Sequence, residues 1–433
     1  MTNLEDIAKN GKAASIKAML LSSDLKNKVL LKIAENLENS KDFIICANEK
    51  DLTEAQKMLE NNEITKSAYN RLKLDENKLK DMIQGVLDIT KLEDLVNKTI
   101  WKKELAKDIE LHKVACPIGL IGVIFEARPD VISQISALAI KSSNAVVLKG
   151  GSEAKNTNTA IFEVIDKTLK SFEEFPPGFI SLVYTREDVA EMLKLDKYFD
   201  LIIPRGSNAL VRFIKENTKI AVLGHSDGIC HIYIDEPADI NKVLNICTDA
   251  KCQYPSACNS VETILINDKV ISDILPKLSE ELKKNGVLVK GDEKCREVVS
   301  WLECASEDDW KTEYGEKIVS IKCVKSVDEA IEHINTYGSH HTDSIITENK
   351  ANAEKFMLLV DSAGVYHNIS TRFADGFRYG FGAEVGISTN KTHARGPVGI
   401  DGLMIYKYKL YGSGDIVSDF TTHKRSFTHK FID

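Results

Sequence analysis

GLIGVIFEARPDVISQISALAIKSSNAVVLKGGSEA, residues 119–154, holds two apolar runs, LIGVIF and AVVLKG, joined by a stretch with helical spacing. A strand that is apolar at every position has both faces covered, whereas a strand with one wet face alternates. Two such runs linked by a helix predict parallel neighbours in a doubly wound α/β sheet. The rhythm continues through FISLVY (179–184), DLIIPRG (200–206) and ICHIYID (229–235), with amphipathic stretches at 130–142, 155–171, 186–195 and 207–217. Sheets of this kind bind ligands outside the carboxyl ends of their strands, so the turns after VVLKG and LIIPRG come first for inspection.

Upstream, residues 3 to about 95 read as helices: Leu25, Val29, Leu30, Ile33, Ala34 and Leu37 recur on one face, and Asp75 marks a further helix start. Residues 100–114 mix apolar and charged positions at shorter period, as a hairpin or arm would. Downstream, VETILIN (261–267), VLVKG (287–291), IVSIKCV (318–324) and SIITEN (344–349) alternate with helices near 269–284, 327–336 and 350–361. They predict a second α/β domain beginning near residue 245. LMIYKYKLYG (403–412) alternates like an edge strand, and edge strands are usually covered, here by another subunit in a homo-oligomer.

A chain of 433 residues exceeds one core and implies two or three domains. Its net charge of −8 offers no positive field for nucleic acid or a membrane surface, so an anionic substrate needs its own converging donors. The apolar run 114–125 is too short to span a bilayer. Glu5, Asp6 and Lys9 in the first turns do not read as a signal region, and nine cysteines, an odd number, suit reduced thiols in a cytoplasm. Cys247, Cys252 and Cys258 lie five and six residues apart, which is not zinc-ligand spacing, and no metal is expected.

Four segments carry possible chemistry. VVLKGGSEA (146–154) ends a strand in Lys149, Gly150, Gly151 and Ser152 ahead of a helix. Glycines let a phosphate approach the backbone, and the helix start offers free N–H groups, although an ordinary strand-to-helix turn reads the same way. LIIPRGSNALVRFI (201–214) repeats the theme with Pro204, Arg205, Gly206 and Ser207, and two such turns on one sheet bring the dinucleotide and plain-turn readings level. CQYPSACNSVETILI (252–266) sets Cys258 in a loop just before a strand, either a nucleophile facing a cleft or a small buried hydrophobe. Residues 368–399 form a long glycine-rich connection carrying Arg372, Arg378, His393 and Arg395, which has anion-binding character.

With these segments in view the chain resembles the aldehyde dehydrogenase superfamily, in the branch that reduces gamma-glutamyl phosphate. The resemblance is carried by PIGLIGVIFEARPDV (117–131), SSNAVVLKGGSEA (142–154), DLIIPRGSNALVRFI (200–214), CNSVETILI (258–266), DWKTEYGEKI (309–318), YGSHHTDSIITEN (337–349) and FGAEVGISTNKTHARGPVG (381–399). FEARPDV and THARGPVG are similar to this branch alone. The resemblance implies a cofactor domain at 1–97 and 113–244, a catalytic domain at 245–395, and an oligomerisation element from 98–112 and 396–433.

It further implies that Cys258 is the nucleophile and that Lys149, Gly151, Ser152 and Glu153 meet the adenosine ribose of NADPH. Pro204, Arg205, Gly206 and Ser207 would line the cofactor phosphates, and Glu313 would hold the nicotinamide ribose. Arg128, Asn259, Arg372, His393 and Arg395 are the candidates for the substrate's anionic ends, with Arg128 and Arg395 favoured because they sit in branch-specific motifs. Two positions depart from the pattern: Ser207 and Asn208 replace a glycine and a lysine in PRGGKGL, and Val222 stands where hydrolytic relatives carry a water-activating glutamate. The implied reaction is NADPH-dependent reduction of gamma-glutamyl phosphate to glutamate-5-semialdehyde in proline synthesis, through a Cys258 thioester. A glutamate kinase would be the partner that supplies the labile acyl phosphate. A hydrolytic aldehyde dehydrogenase is opposed by Val222, and a non-catalytic nucleotide-binding scaffold by the intact Cys258 segment.

Overall fold

The computed structural model describes residues 3–225 and 227–432. The chain divides into two compact units, Met1–Leu223 with Val398–Asp433, and Gly224–Pro397.

The first unit opens with helices Leu4–Ala18, Ser23–Asn39, Lys41–Glu60, Lys66–Leu72 and Glu76–Thr90. Ser22 and Asp75 cap two of them, accepting the N–H groups of Leu25 and Lys78 at 3.2 and 2.9 Å. Leu30, Ile33 and Leu37 are fully buried, as their spacing predicts. Asp51 reaches from this layer to the N–H groups of Asn156 and Thr157 at 3.0 and 2.7 Å. A carboxylate there complements the start of helix Lys155–Lys170, the helix that follows the Gly150–Gly151 turn.

A hairpin of β1 (Thr99–Ala106) and β2 (Ile109–Pro117) precedes three apolar strands, β3 (Leu120–Phe125), β4 (Ala145–Lys149) and β5 (Ile180–Val183), and then β6 (Leu201–Arg205). The last four form a parallel sheet in the order β5-β4-β3-β6. The hairpin pairs antiparallel with the late strand Met404–Tyr411 on the β2 side and with Lys430–Ile432 on the β1 side. Tyr406, Tyr408, Leu410 and Phe431 of those outer strands are exposed.

The second unit is built on a seven-stranded parallel sheet. Its strands are β7 (Cys230–Ile234), β8 (Val261–Asn267), β9 (Leu288–Gly291), β10 (Glu303–Cys304), β11 (Ile318–Val324), β12 (Thr342–Ile346) and β13 (Gly364–His367). Their order is β10-β9-β11-β8-β7-β12-β13. The doubly wound α/β class expected from the apolar runs holds, but the expected boundary near 245 moves. ICHIYID forms β7, which lies between β8 and β12, so the second unit begins at Gly224. Apolarity shows that a strand is covered on both faces and is silent on which sheet covers it. At the other end the second unit runs to Pro397 rather than 395.

Candidate active site

Four consecutive neighbours in the second sheet, β11, β8, β7 and β12, each enter it just after a polar residue. Glu313 precedes β11, Cys258 precedes β8, His225 precedes β7 and His341 directly precedes β12. Parallel strands start on the same side, so the pairing of these four gathers residues 225, 258, 313 and 341 along one edge. This is the amino end of the strands, opposite to the carboxyl-end rule that the sequence reading applied.

The Cys258 loop is tied down on several sides. Ser260 Oγ donates to Ala250 O at 3.1 Å, Asn259 Nδ2 to Ala374 O at 2.8 Å, and Thr371 Oγ1 to Asn259 O at 2.7 Å. The Cys230 thiol donates to Cys258 O at 3.4 Å. Gly228 runs so close beneath that a Cβ there would lie 2.3 Å from Cys258 O and 2.7 Å from its Cα. Only glycine fits against another backbone at that distance.

Three donor groups, of His225, Cys258 and His341, lie within 4.8 Å of one another. The two imidazole rings meet edge to face with centroids 4.9 Å apart. His225 Nδ1 bonds to Ile387 O at 3.0 Å and His341 Nδ1 to Thr342 Oγ1 at 2.9 Å. A carbonyl only accepts, so His225 Nδ1 carries a proton and Nε2 is the nitrogen left for the thiol.

Burial by itself would push the Cys258 thiol up, but the imidazoles of His341 and His225 outweigh it and hold it well below the ordinary value. His225 is raised to about 9: burial works against its charge, and the Cys258 thiolate, the Ile387 carbonyl and Glu313 prevail. Burial pushes Cys116, Cys230, Cys247, Cys252, Cys295 and Cys323 the other way. Of these seven buried or half-buried thiols, Cys258 is the one whose surroundings favour the thiolate.

Arg372 is buried in the same unit, its Nε donating to Gln253 Oε1 at 2.9 Å. Burial and the nearby Arg378 disfavour its charge, while the Cys258 thiolate favours it. No carboxylate of the described residues forms an ion pair with it. Arg395 is exposed and paired with Asp361 at 3.1 Å, an anion that also holds Lys391. His393 lies exposed in the same loop. The structure therefore sets Arg372 by the thiol, and gives Arg395, which its motif favoured, a carboxylate partner.

Behind Glu313, Gly315 N–H donates to Glu262 Oε1 at 3.3 Å, and Glu262 Oε2 receives Lys251 Nζ at 2.7 Å. Tyr314 OH donates to Asp309 Oδ1 at 2.6 Å, which also accepts from Lys290. The 312–317 loop is thus fixed on both flanks.

In the first unit the two glycine turns follow β4 and β6, where the sequence placed them. Gly150 and Gly151 sit where a Cβ would come within 2.1 Å of Asn158 Nδ2 and 2.0 Å of Glu153 Oε1. A cavity of about 190 Å³ opens there, lined by Gly151, Ser152, Lys155, Tyr184 and Thr185 among others. Asn158 lines it too, and its buried Oδ1 has no hydrogen-bond partner among the described residues. Lys149 is lowered by burial and by Arg186, against the attraction of Glu153 and Glu126. Glu126 Oε2 accepts the Ser207 N–H at 2.8 Å, and Glu153 Oε1 accepts the Ala127 N–H at 2.6 Å. Glu126 and Ala127 therefore touch the two turns, with part-exposed Arg128 next along the chain. Ser207 Oγ caps helix Asn208–Glu216 through the Leu210 N–H at 3.4 Å, and Pro204, Arg205 and Gly206 lead into it from β6.

His225 and His341 went unread in the sequence. They stand 33 residues before and 83 after Cys258, so no local spacing marks them. Only the strand order β8-β7-β12 brings them together.

The chain belongs to the aldehyde dehydrogenase family, whose model, described as Aldehyde dehydrogenase family, matches residues 3–296. Within it, the chain is similar to proteins named gamma-glutamyl phosphate reductase. That of Brachyspira hyodysenteriae is 59% identical over 429 residues, covering 99% of each chain. That of Methanococcoides burtonii is 50% identical over 438 residues, covering 100% of this chain and 98% of that one. A crystal structure of gamma-glutamyl phosphate reductase from Thermotoga maritima superposes with a TM-score of 0.92 at 40% identity, covering 96% of this chain and 100% of that one. Among the described residues no helix is long and apolar enough to cross a membrane.

Proposed function

We propose that the chain reduces gamma-glutamyl phosphate to glutamate-5-semialdehyde and phosphate, a step of proline synthesis, with NADPH as hydride donor and Cys258 as nucleophile. One observation carries the chemistry: the Cys258 thiol lies with two imidazoles within 4.8 Å and is the thiol they hold well below its ordinary value. Relatives of that name, matched end to end, supply the substrate.

The Cys258 thiolate attacks the acyl carbonyl, the C–S bond forms, and the C–O bond to phosphate breaks. A thioester remains on the protein, and the departing phosphate carries off the one proton taken up per turnover. When bound, the reduced nicotinamide supplies a hydride to the thioester carbonyl. The resulting oxyanion collapses, breaking the C–S bond, releasing aldehyde and restoring the thiolate that His225 and His341 stabilise. Arg372, buried without a carboxylate partner among the described residues, suits an anionic end of the substrate. Val222, apolar where hydrolytic relatives carry an acid, provides no base to spend the thioester on water.

The residues of the first unit fit a dinucleotide: a turn with no room for a Cβ, a cavity of about 190 Å³, and the basic side chains Lys149, Lys155 and Arg186 around it. Lys149, Gly151, Ser152 and Glu153 would hold the adenosine end and residues 204–207 the phosphates. The exposed aromatic row Tyr406, Tyr408 and Phe431 on the outer strands suits pairing with a second copy.

The reverse reaction tests the reading. Glutamate-5-semialdehyde and NADP should give NADPH only when phosphate or arsenate is present, and Cys258→Ala should abolish the rate. Turnover of equal speed without either anion would replace this assignment with a hydrolytic one.

A further inference from the structure

Cys258 and the two imidazoles beside it form a donor set that suits more than the reduction. We propose that Cys258, His225 and His341 bind a soft divalent cation of the zinc class, and that the bound cation withdraws the sulfur from reaction. One thiolate and two imidazoles, with a fourth position open, match the three-protein-ligand pattern of zinc sites.

The geometry supports this at two levels. Tetrahedral zinc with ordinary bond lengths sets neighbouring donors roughly 3.5 Å apart. The three donors already lie within 4.8 Å, so small side-chain rotations close the set. Each ring is also oriented from behind. His225 Nδ1 is held on the Ile387 carbonyl at 3.0 Å, the outer partner that metal-ligating histidines commonly have. His341 Nδ1 is held on Thr342 Oγ1 at 2.9 Å, which leaves its fully buried Nε2 as the nitrogen free to turn to a ligand.

Cysteine spacing argued against zinc because it considered residues close in sequence. The set is assembled from three different strand entrances, where no such spacing exists. The cation site stands on these donors alone; only the loss of turnover rests on the role proposed for Cys258.

The test is a titration of the reduced, chelator-treated chain with Co²⁺, read by the thiolate-to-cobalt charge-transfer absorbance and by equilibrium dialysis. One cobalt per chain, displaced by Zn²⁺, is expected. Cys258→Ser should remove the charge-transfer band, and His225→Gln and His341→Gln should each weaken binding at least roughly tenfold. His423→Ala, on an exposed histidine, should change nothing. Thermal melts of each variant separate lost ligands from lost fold. A band that survives Cys258→Ser, or affinity equal to the parent chain's in both folded histidine variants, overturns the site. Because the readout needs no turnover, its failure is distinct from failure of the reductase assignment, which the chelator-treated enzyme tests in the phosphate-dependent assay.

Discussion

Lys251 Nζ lies 2.7 Å from Glu262 Oε2, with the two side chains 0% and 1% exposed. Both charges suffer: burial raises the Glu262 carboxyl to about 7, against Lys251 and the Gly315 N–H, and burial lowers Lys251. Removing one partner strands the other, which costs about 3–5 kcal/mol, whereas an apolar pair of similar volume is often neutral. Glu262→Gln is therefore expected to destabilise strongly in urea, and Lys251→Met with Glu262→Gln to recover most of the loss. The single variant should also raise KM for the nicotinamide cofactor, because Glu262 anchors the Glu313 loop through Gly315.

Thiol chemistry gives the second expectation. An unperturbed cysteine is only a few per cent thiolate at pH 7. If His225 and His341 hold the Cys258 thiolate, iodoacetamide should label one residue fast at pH 6–7 in the parent chain. His225→Ala with His341→Ala should slow that labelling at least about tenfold and shift its pH midpoint upward toward that of a free thiol. Unchanged labelling in the folded double variant would show that the imidazoles leave the sulfur unaffected.

Arg372 and Arg395 should separate in kinetics. Charged hydrogen bonds are worth about 1.5–3 kcal/mol, so Arg372→Ala should raise KM for the acyl phosphate by roughly ten- to a hundredfold. Arg395 already spends its charge on Asp361, and Arg395→Ala should have the smaller effect. Equal effects would return Arg395 to the substrate.

Acid stability should report on His333. Burial, with His231 and Lys322 nearby, lowers it to about 2. Below about pH 6.5 the unfolded chain takes up a proton that the folded chain refuses, so stability falls as pH falls. The loss should reach about 2 kcal/mol between pH 6.5 and 5, and His333→Leu should flatten that part of the profile. Denaturant midpoints across this range check it.

Much of the fold could be read because strands buried on both faces, such as LIGVIF and AVVLKG, leave a continuous apolar signature. ICHIYID was assigned to the wrong sheet because the same signature carries no address; only the ladder between β7 and its neighbours β8 and β12 does. The Cys258 segment stood out through its likeness to a family, not through anything local to it. His225 lies inside AVLGHSDG, three residues after Val222, and His341 inside YGSHHTDSIITEN. Neither side chain acquires meaning until strand order is known. Arg372 is the converse case, since its lack of a carboxylate partner among the described residues is a property of surroundings rather than of sequence.

The gathering of residues 225, 258, 313 and 341 at one sheet edge bears on how the second unit can change over evolutionary time. Their mutual distances derive from the fixed lateral spacing of hydrogen-bonded strands, not from the lengths of the crossovers between them. Insertions and deletions in the far halves of those crossovers should leave these four side chains in place. A single-residue slip in the few positions between any one of these side chains and its strand would dismantle the constellation.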